Sequence, residues 1–159
     1  MAQNEYSVSA SIVVRASAER IFDVLADPRQ HPIFDGSGTV IEGISGPQRL
    51  SLNETFGMRM RIAWGYRITN TVVEFENNRL IAWKHPSPHR WRYELEPLGE
   101  QETTVVETFD YSRMPLPGIV RKTGMPRRNL RSIENTLQRL KAYVETGEAV
   151  PNGDFPAER

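Results

Sequence analysis

The chain has 159 residues and a mass of 18.2 kDa, the size of one domain that can bury a core without staples. It contains no cysteine, which excludes a disulfide scaffold, a thiolate metal site, a cysteine nucleophile and a thiol redox switch. Twenty basic residues balance twenty acidic ones, so no bulk field steers the protein to nucleic acid or to an anionic membrane.

The cations are lopsided, 17 Arg to 3 Lys. Two readings stay open, guanidinium-based anion recognition and codon bias in a GC-rich genome. No run approaches the ~18 apolar residues of a membrane span, and the start Met-Ala-Gln-Asn-Glu-Tyr lacks the basic and apolar regions of a signal peptide. No membrane insertion and a cytoplasmic location are expected.

Tyr6 to Arg15 is β-branched and alternating, which predicts a strand. Ser17 is placed to cap a short helix whose apolar face is Ile21, Phe22, Val24 and Leu25, with Asp27-Pro28 ending it. Two prolines and two glycines between Asp27 and Gly38 predict a helical turn at most and then an ordered loop. From Thr39 to Tyr111 the period becomes two and turn signals recur, predicting six strands near 39–44, 52–63, 66–76, 79–85, 90–97 and 103–111. A long helix follows from Pro126. Leu130, Ile133, Leu137, Leu140 and Val144 recur at helical spacing and fall within an arc of about 80°. Gly147 ends it, residues 148–159 read as a frayed tail, and residues 1–147 form one domain.

One long helix cannot cover a flat seven-stranded sheet. The expected α+β fold is therefore a curved seven-stranded antiparallel sheet wrapped around the C-terminal helix, with one or two short helices after the first strand. Such a grip leaves an internal cavity wherever side chains do not fill it.

The residues from Ser11 to Pro28 (Ser-Ile-Val-Val-Arg-Ala-Ser-Ala-Glu-Arg-Ile-Phe-Asp-Val-Leu-Ala-Asp-Pro) resemble the opening of the SRPBCC superfamily, also called START-like or Bet v 1-like. His31-Pro32, Asp35-Gly36-Ser37-Gly38, the segment Asn78 to Trp83, the segment Trp91 to Pro97 and the segment Glu107 to Ser112 continue the likeness in order. More specifically, these segments resemble the bacterial polyketide cyclase/dehydrase and lipid transport group. The resemblance implies a helix-grip fold with a hydrophobic cavity for a lipid, polyketide or aromatic compound. It does not imply one activity, since members include cyclases, carriers, hormone receptors and co-chaperone domains. Gly43-Ile-Ser-Gly-Pro47 stands where plant members carry a glycine-rich loop, which argues against a plant-type role.

Strand alternation assigns faces. Phe56, Met58, Met60 and Ile62 share the side turned to the helix, with Arg59 and Arg61 toward water. Trp83, Trp91 and Tyr93 continue that wall, as do Glu107, Phe109 and Tyr111 on the last strand. Leu130, Ile133 and Leu137 face them from the helix. Each of these is core or ligand-binding surface according to how full the cavity is. Glu107 would be a buried carboxylate, and so hydrogen-bonded, paired or neutral. Two readings stay open: a ligand-binding or acid/base group, with Tyr111 as a second catalytic candidate, or a structural pair with an Arg, Tyr or His across the cavity.

His31, Phe34 and Asp35 lie in the loop that the resemblance places at the cavity mouth. His85 and His89 bracket a Pro-Ser-Pro loop, a spacing that makes no helical metal pair, and His85 is read as an exposed turn residue that can reach the cavity rim. No metal and no cofactor are implied. The cations Arg121, Lys122, Arg127, Arg128 and Arg131 read as a solvated face rather than a nucleic-acid site. The expected partner is a small hydrophobic molecule. A homodimer would need only a modest patch on a strand edge or helix.

Overall fold

The computed structural model describes residues 4–151. Seven antiparallel strands form one sheet: β1 (Ser7–Val14), β2 (Val40–Ser45), β3 (Thr55–Arg61), β4 (Gly65–Glu76), β5 (Leu80–Lys84), β6 (Arg90–Gly99) and β7 (Glu102–Asp110). Their order across the sheet is β1-β7-β6-β5-β4-β3-β2. The six strands from β2 to β7 form a meander, and β1 closes onto the last of them. This is the helix-grip fold.

Helix α1 (Ala18–Leu25) begins where Ser17 accepts the Arg20 amide at 3.3 Å, satisfying one of the amides a helix start leaves free. A 3-10 turn (Pro28–Gln30) and the one-turn helix α2 (His31–Phe34) follow. Helix α3 (Pro117–Lys122) was not anticipated by the sequence reading. It begins at a proline in the favoured first position, but with Pro115, Pro117 and Gly118 close together the segment reads as loop.

Helix α4 (Met125–Thr146) ends at Gly147, whose φ of 78° is the left-handed conformation of a helix stop. Ile133, Leu137, Leu140 and Val144 are buried, and the helix packs chiefly on β1, with β7 beside it. Burying each such side chain contributes about 1.5–3 kcal/mol. Residues 148–150 carry no regular structure, and residues 152–159 of the expected tail lie outside the described residues.

The convex face is held by charge. Glu74 pairs with Arg90 and Arg92, Arg92 also pairs with Glu94, and Arg79 joins Glu94 and Glu76. The loop after α2 crosses α4 closely: the Gly36 amide donates to Thr136 Oγ1 at 2.9 Å. A Cβ at Gly36 would lie 2.3 Å from the Thr136 backbone nitrogen, so only glycine fits there.

Candidate functional site

Between the concave face, α2 and α4 lies a cavity of about 430 Å³, within the range of ~300–1,000 Å³ usual for small-molecule pockets. Strand register builds its wall in rows. Met58 pairs with Ile68 and Phe56 with Asn70; Trp83 pairs with Trp91, which pairs with Phe109; and Tyr93 pairs with Glu107. Because side chains on paired positions share a face, these rows put one apolar and aromatic surface against the helix, interrupted by a few polar groups.

Glu107 is the most consequential of those groups. It is 2% exposed and lines the cavity. Its Oε1 accepts the Tyr93 hydroxyl at 2.8 Å, while its Oε2 is buried without a partner. Burial, with the Asp35 charge adding to it, holds this carboxyl well above its ordinary range, against the opposing Tyr93 hydrogen bond. A neutral Glu107 thus has an O–H at Oε2 with nothing among the described residues to receive it. The partner is a tyrosine on the adjacent strand of the same wall, not a residue across the cavity.

A second polar cluster sits on the same wall. Trp91 Nε1 donates to His85 Nε2 at 3.2 Å, so His85 carries its proton on Nδ1 and donates it to Asn70 Oδ1. Protonating Nε2 would take away the acceptor Trp91 uses. Burial, and then the neighbouring His89, bring the His85 pKa down to about 4. The His85 and His89 rings meet edge-on at 5.0 Å, and both line the cavity. His85 is therefore part of the wall rather than an exposed turn residue. The signal was its phase, two residues beyond Trp83 and one past the end of β5. Tyr66, Ile68 and Asn70 of β4, also in the wall, follow the same alternation and were not singled out from the sequence.

Phe56, Met58, Met60, Trp83, Trp91, Tyr93, Glu107 and Phe109 all line the cavity. Ile62 does too, but β3 ends at Arg61 and Ile62 is 74% exposed, so it forms rim, not wall. Tyr111 is buried outside the cavity, edge-on to Tyr6 at 6.2 Å and stacked on Phe109 at 5.8 Å. It is not placed to act with Glu107.

The helix residues are the main correction. Leu130, Ile133 and Leu137 do not line the cavity; Met125, Arg128, Asn129, Ser132 and Thr136 do. At 100° per residue these centre about 100° around the helix from the apolar stripe. The apolar stripe faces β1 because that contact is fully packed, and the more polar flank is left over the open part of the sheet.

The expected mouth residues divide. His31 and Phe34 are buried. His31 stacks on Trp83 at 4.8 Å and donates Nε2–H to the Leu25 carbonyl at 2.8 Å. Burial lowers its pKa to about 4 in spite of that bond. It closes the inner end of the cavity. Asp35 stays near the rim, its carboxylate taken up by the Ser37 hydroxyl and the Val40 amide. Among the described residues, no group of three or more His, Asp or Glu side chains is placed to hold a metal ion, and no helix is long and apolar enough to cross a membrane.

A cavity with this wall inside a helix-grip sheet is the architecture of a ligand-enclosing domain. The model of the family described as polyketide cyclase / dehydrase and lipid transport matches residues 5–145, and the chain belongs to that family. The uncharacterised protein Rv0088 of Mycobacterium tuberculosis is 39% identical over 150 residues, covering 89% of this chain and 66% of the relative; the chain thus spans just under two thirds of the curated relatives it matches. Among solved structures, the Aha1 dimer from Colwellia psychrerythraea superposes with a TM-score of 0.64 at 16% identity, covering 89% of this chain and 98% of the other. The Polyketide_cyc-like protein Cgl2372 from Corynebacterium glutamicum gives 0.59 at 17% identity, covering 92% and 95%. At such identities the two structures are evidence of a shared fold alone.

Proposed function

We propose that this protein binds and carries a small hydrophobic molecule, one bearing a carbonyl or hydroxyl oxygen, inside the cavity. The observation that carries this reading is the unpartnered, buried Oε2 of Glu107 on an otherwise largely apolar wall. A buried polar group without a partner costs about 1–3 kcal/mol, and a ligand oxygen at Oε2 would recover that. The aromatic rows Trp83, Trp91 and Phe109 supply flat apolar contact area, and Met58 and Met60 adapt to the shape of what they meet. Fluorescence titration with 2-naphthol, against naphthalene as its oxygen-free analogue, tests it. The hydroxyl should raise affinity in the native protein, and Glu107→Leu should abolish that advantage; an advantage that survives the substitution would refute the role of Glu107.

The raised pKa and the Tyr93 hydrogen bond also favour a second reading, an enzyme of the cyclase, aromatase or dehydratase type. In it Glu107 delivers its proton to a substrate carbonyl oxygen as charge develops there, and the cavity folds the chain for reaction. Glu107→Gln would then remove turnover while leaving affinity nearly intact. A co-chaperone-like interaction module has less support, because the convex face such a module would use carries the Arg–Glu ion pairs around Glu74.

A further inference from the structure

At the N-terminal end of α4 a surface groove is lined by Arg127, Arg128 and Arg131, with Ser37, Ser132, Asn135, Gly36 and Gly124 completing it. Arg128, Ser132 and Ser37 also line the cavity, so the groove adjoins the cavity mouth. We propose that it is a headgroup site: the molecule held in the cavity is an amphiphile whose anionic end, a phosphate or carboxylate, is bound by these arginines.

Three observations carry this. First, none of the three guanidiniums has a carboxylate partner among the described residues; Arg61, Arg67 and Arg113 also lack one, but Arg127, Arg128 and Arg131 line a single groove together, while Arg29, Arg49, Arg59, Arg79, Arg90 and Arg92 each sit against a carboxylate. Second, all three lie in the first two turns of a 22-residue helix with no acidic residue in its first turn. Cations at that end oppose the helix dipole, so nothing in the helix itself accounts for the clustering, and an external anion would satisfy both the arginines and the dipole. Third, the cavity is graded. Its inner end is aromatic and buried around His31, Phe56 and Trp83, while its α4 flank toward the groove carries Arg128, Asn129 and Ser132. Among the described residues lining the groove and the adjoining flank, the one carboxylate, Asp35, is already held by Ser37 and Val40, and Ser37 keeps it fixed beside the groove. Guanidinium forks match phosphate and carboxylate oxygens.

The proposal rests on the cavity reading, and the test separates the two. Binding of decyl phosphate, decanol and inorganic phosphate is measured by calorimetry on the native protein and on Arg127→Gln/Arg131→Gln. Those two residues line the groove but not the cavity. The native protein should prefer decyl phosphate to decanol by ~10-fold or more, the preference should shrink as salt is raised, and the double variant should lose most of it. Equal affinity for the two amphiphiles, or a preference that survives in the variant, overturns the headgroup site while leaving the cavity reading standing. Inorganic phosphate binding as tightly as decyl phosphate also overturns it, since the groove would then serve a free anion. Failure of both amphiphiles to bind overturns the cavity reading and this proposal with it.

Discussion

Tyr93 and Glu107 face each other across the β6–β7 register, with the tyrosine hydroxyl 2.8 Å from Oε1 and the other carboxyl oxygen left to the cavity. The pair fixes one side of the acid and leaves the other free for a ligand. Burial keeps its pKa above the ordinary 4.5. A raised folded-state pKa means that the folded protein holds the proton more tightly than the unfolded chain, so this contribution to stability is complete below pH 4.5 and is lost as pH rises through the folded value. Glu107→Gln removes the dependence. Relative to the native protein, the variant should gain ~1.4 kcal/mol per pH unit between those limits, measured by urea unfolding across that range. A constant difference at all pH values would show that Glu107 is not held neutral.

His31 should give the opposite slope. Its pKa falls from 6.5 to about 4 on burial, so its contribution is present above pH 6.5 and is lost as pH drops through about 4. The shift corresponds to about 3 kcal/mol. His31→Phe should cost about 1–3 kcal/mol at neutral pH through the orphaned Leu25 carbonyl. That deficit should narrow, or reverse, near pH 4. Parallel stability curves for the two proteins would contradict the assignment.

Filling the cavity should separate binding from folding. Ile68 is half-buried in the cavity wall, opposite Met58 in the β3–β4 register. Ile68→Trp should lower stability by less than about 1 kcal/mol, because the ring enters open space rather than packed core. Affinity for 2-naphthol should fall by ~10-fold or more as its volume is taken. Thermal unfolding and fluorescence titration on the same sample report both.

Gly36→Ala should destabilise the fold by about 1–3 kcal/mol through overpacking against the α4 backbone at Thr136. Chemical unfolding measures the loss. A neutral substitution would mean that the loop after α2 does not bear on the helix.

The strands and α1 were legible because alternation, turn residues and the Ser17 cap all point the same way. The Glu107 wall position was legible for the same reason, its parity with Phe109. The helix side of the cavity was not. Hydrophobic periodicity finds the stripe that buries the most apolar area, and in α4 that stripe seats on β1. The cavity instead takes the flank bearing Asn129, Ser132 and Thr136, whose polar side chains carry no hydrophobic signal. The pairing of His85 with Asn70 and Trp91 was hidden because it joins β4, β6 and the loop residue after β5 through register that a single sequence does not display. Ile62 was misplaced because alternation carries no mark of where β3 gives way to its turn.

The central claim is that a small hydrophobic molecule enters the cavity, and methionine methyl NMR tests it most directly. Met58, Met60 and Met125 line the cavity and Met114 does not. Titrating protein labelled on its methionine methyls with 2-naphthol should shift the first three in a saturable manner at one equivalent while leaving Met114 in place. No shift, or unsaturable shifts spread over Met114 as well, would contradict the account.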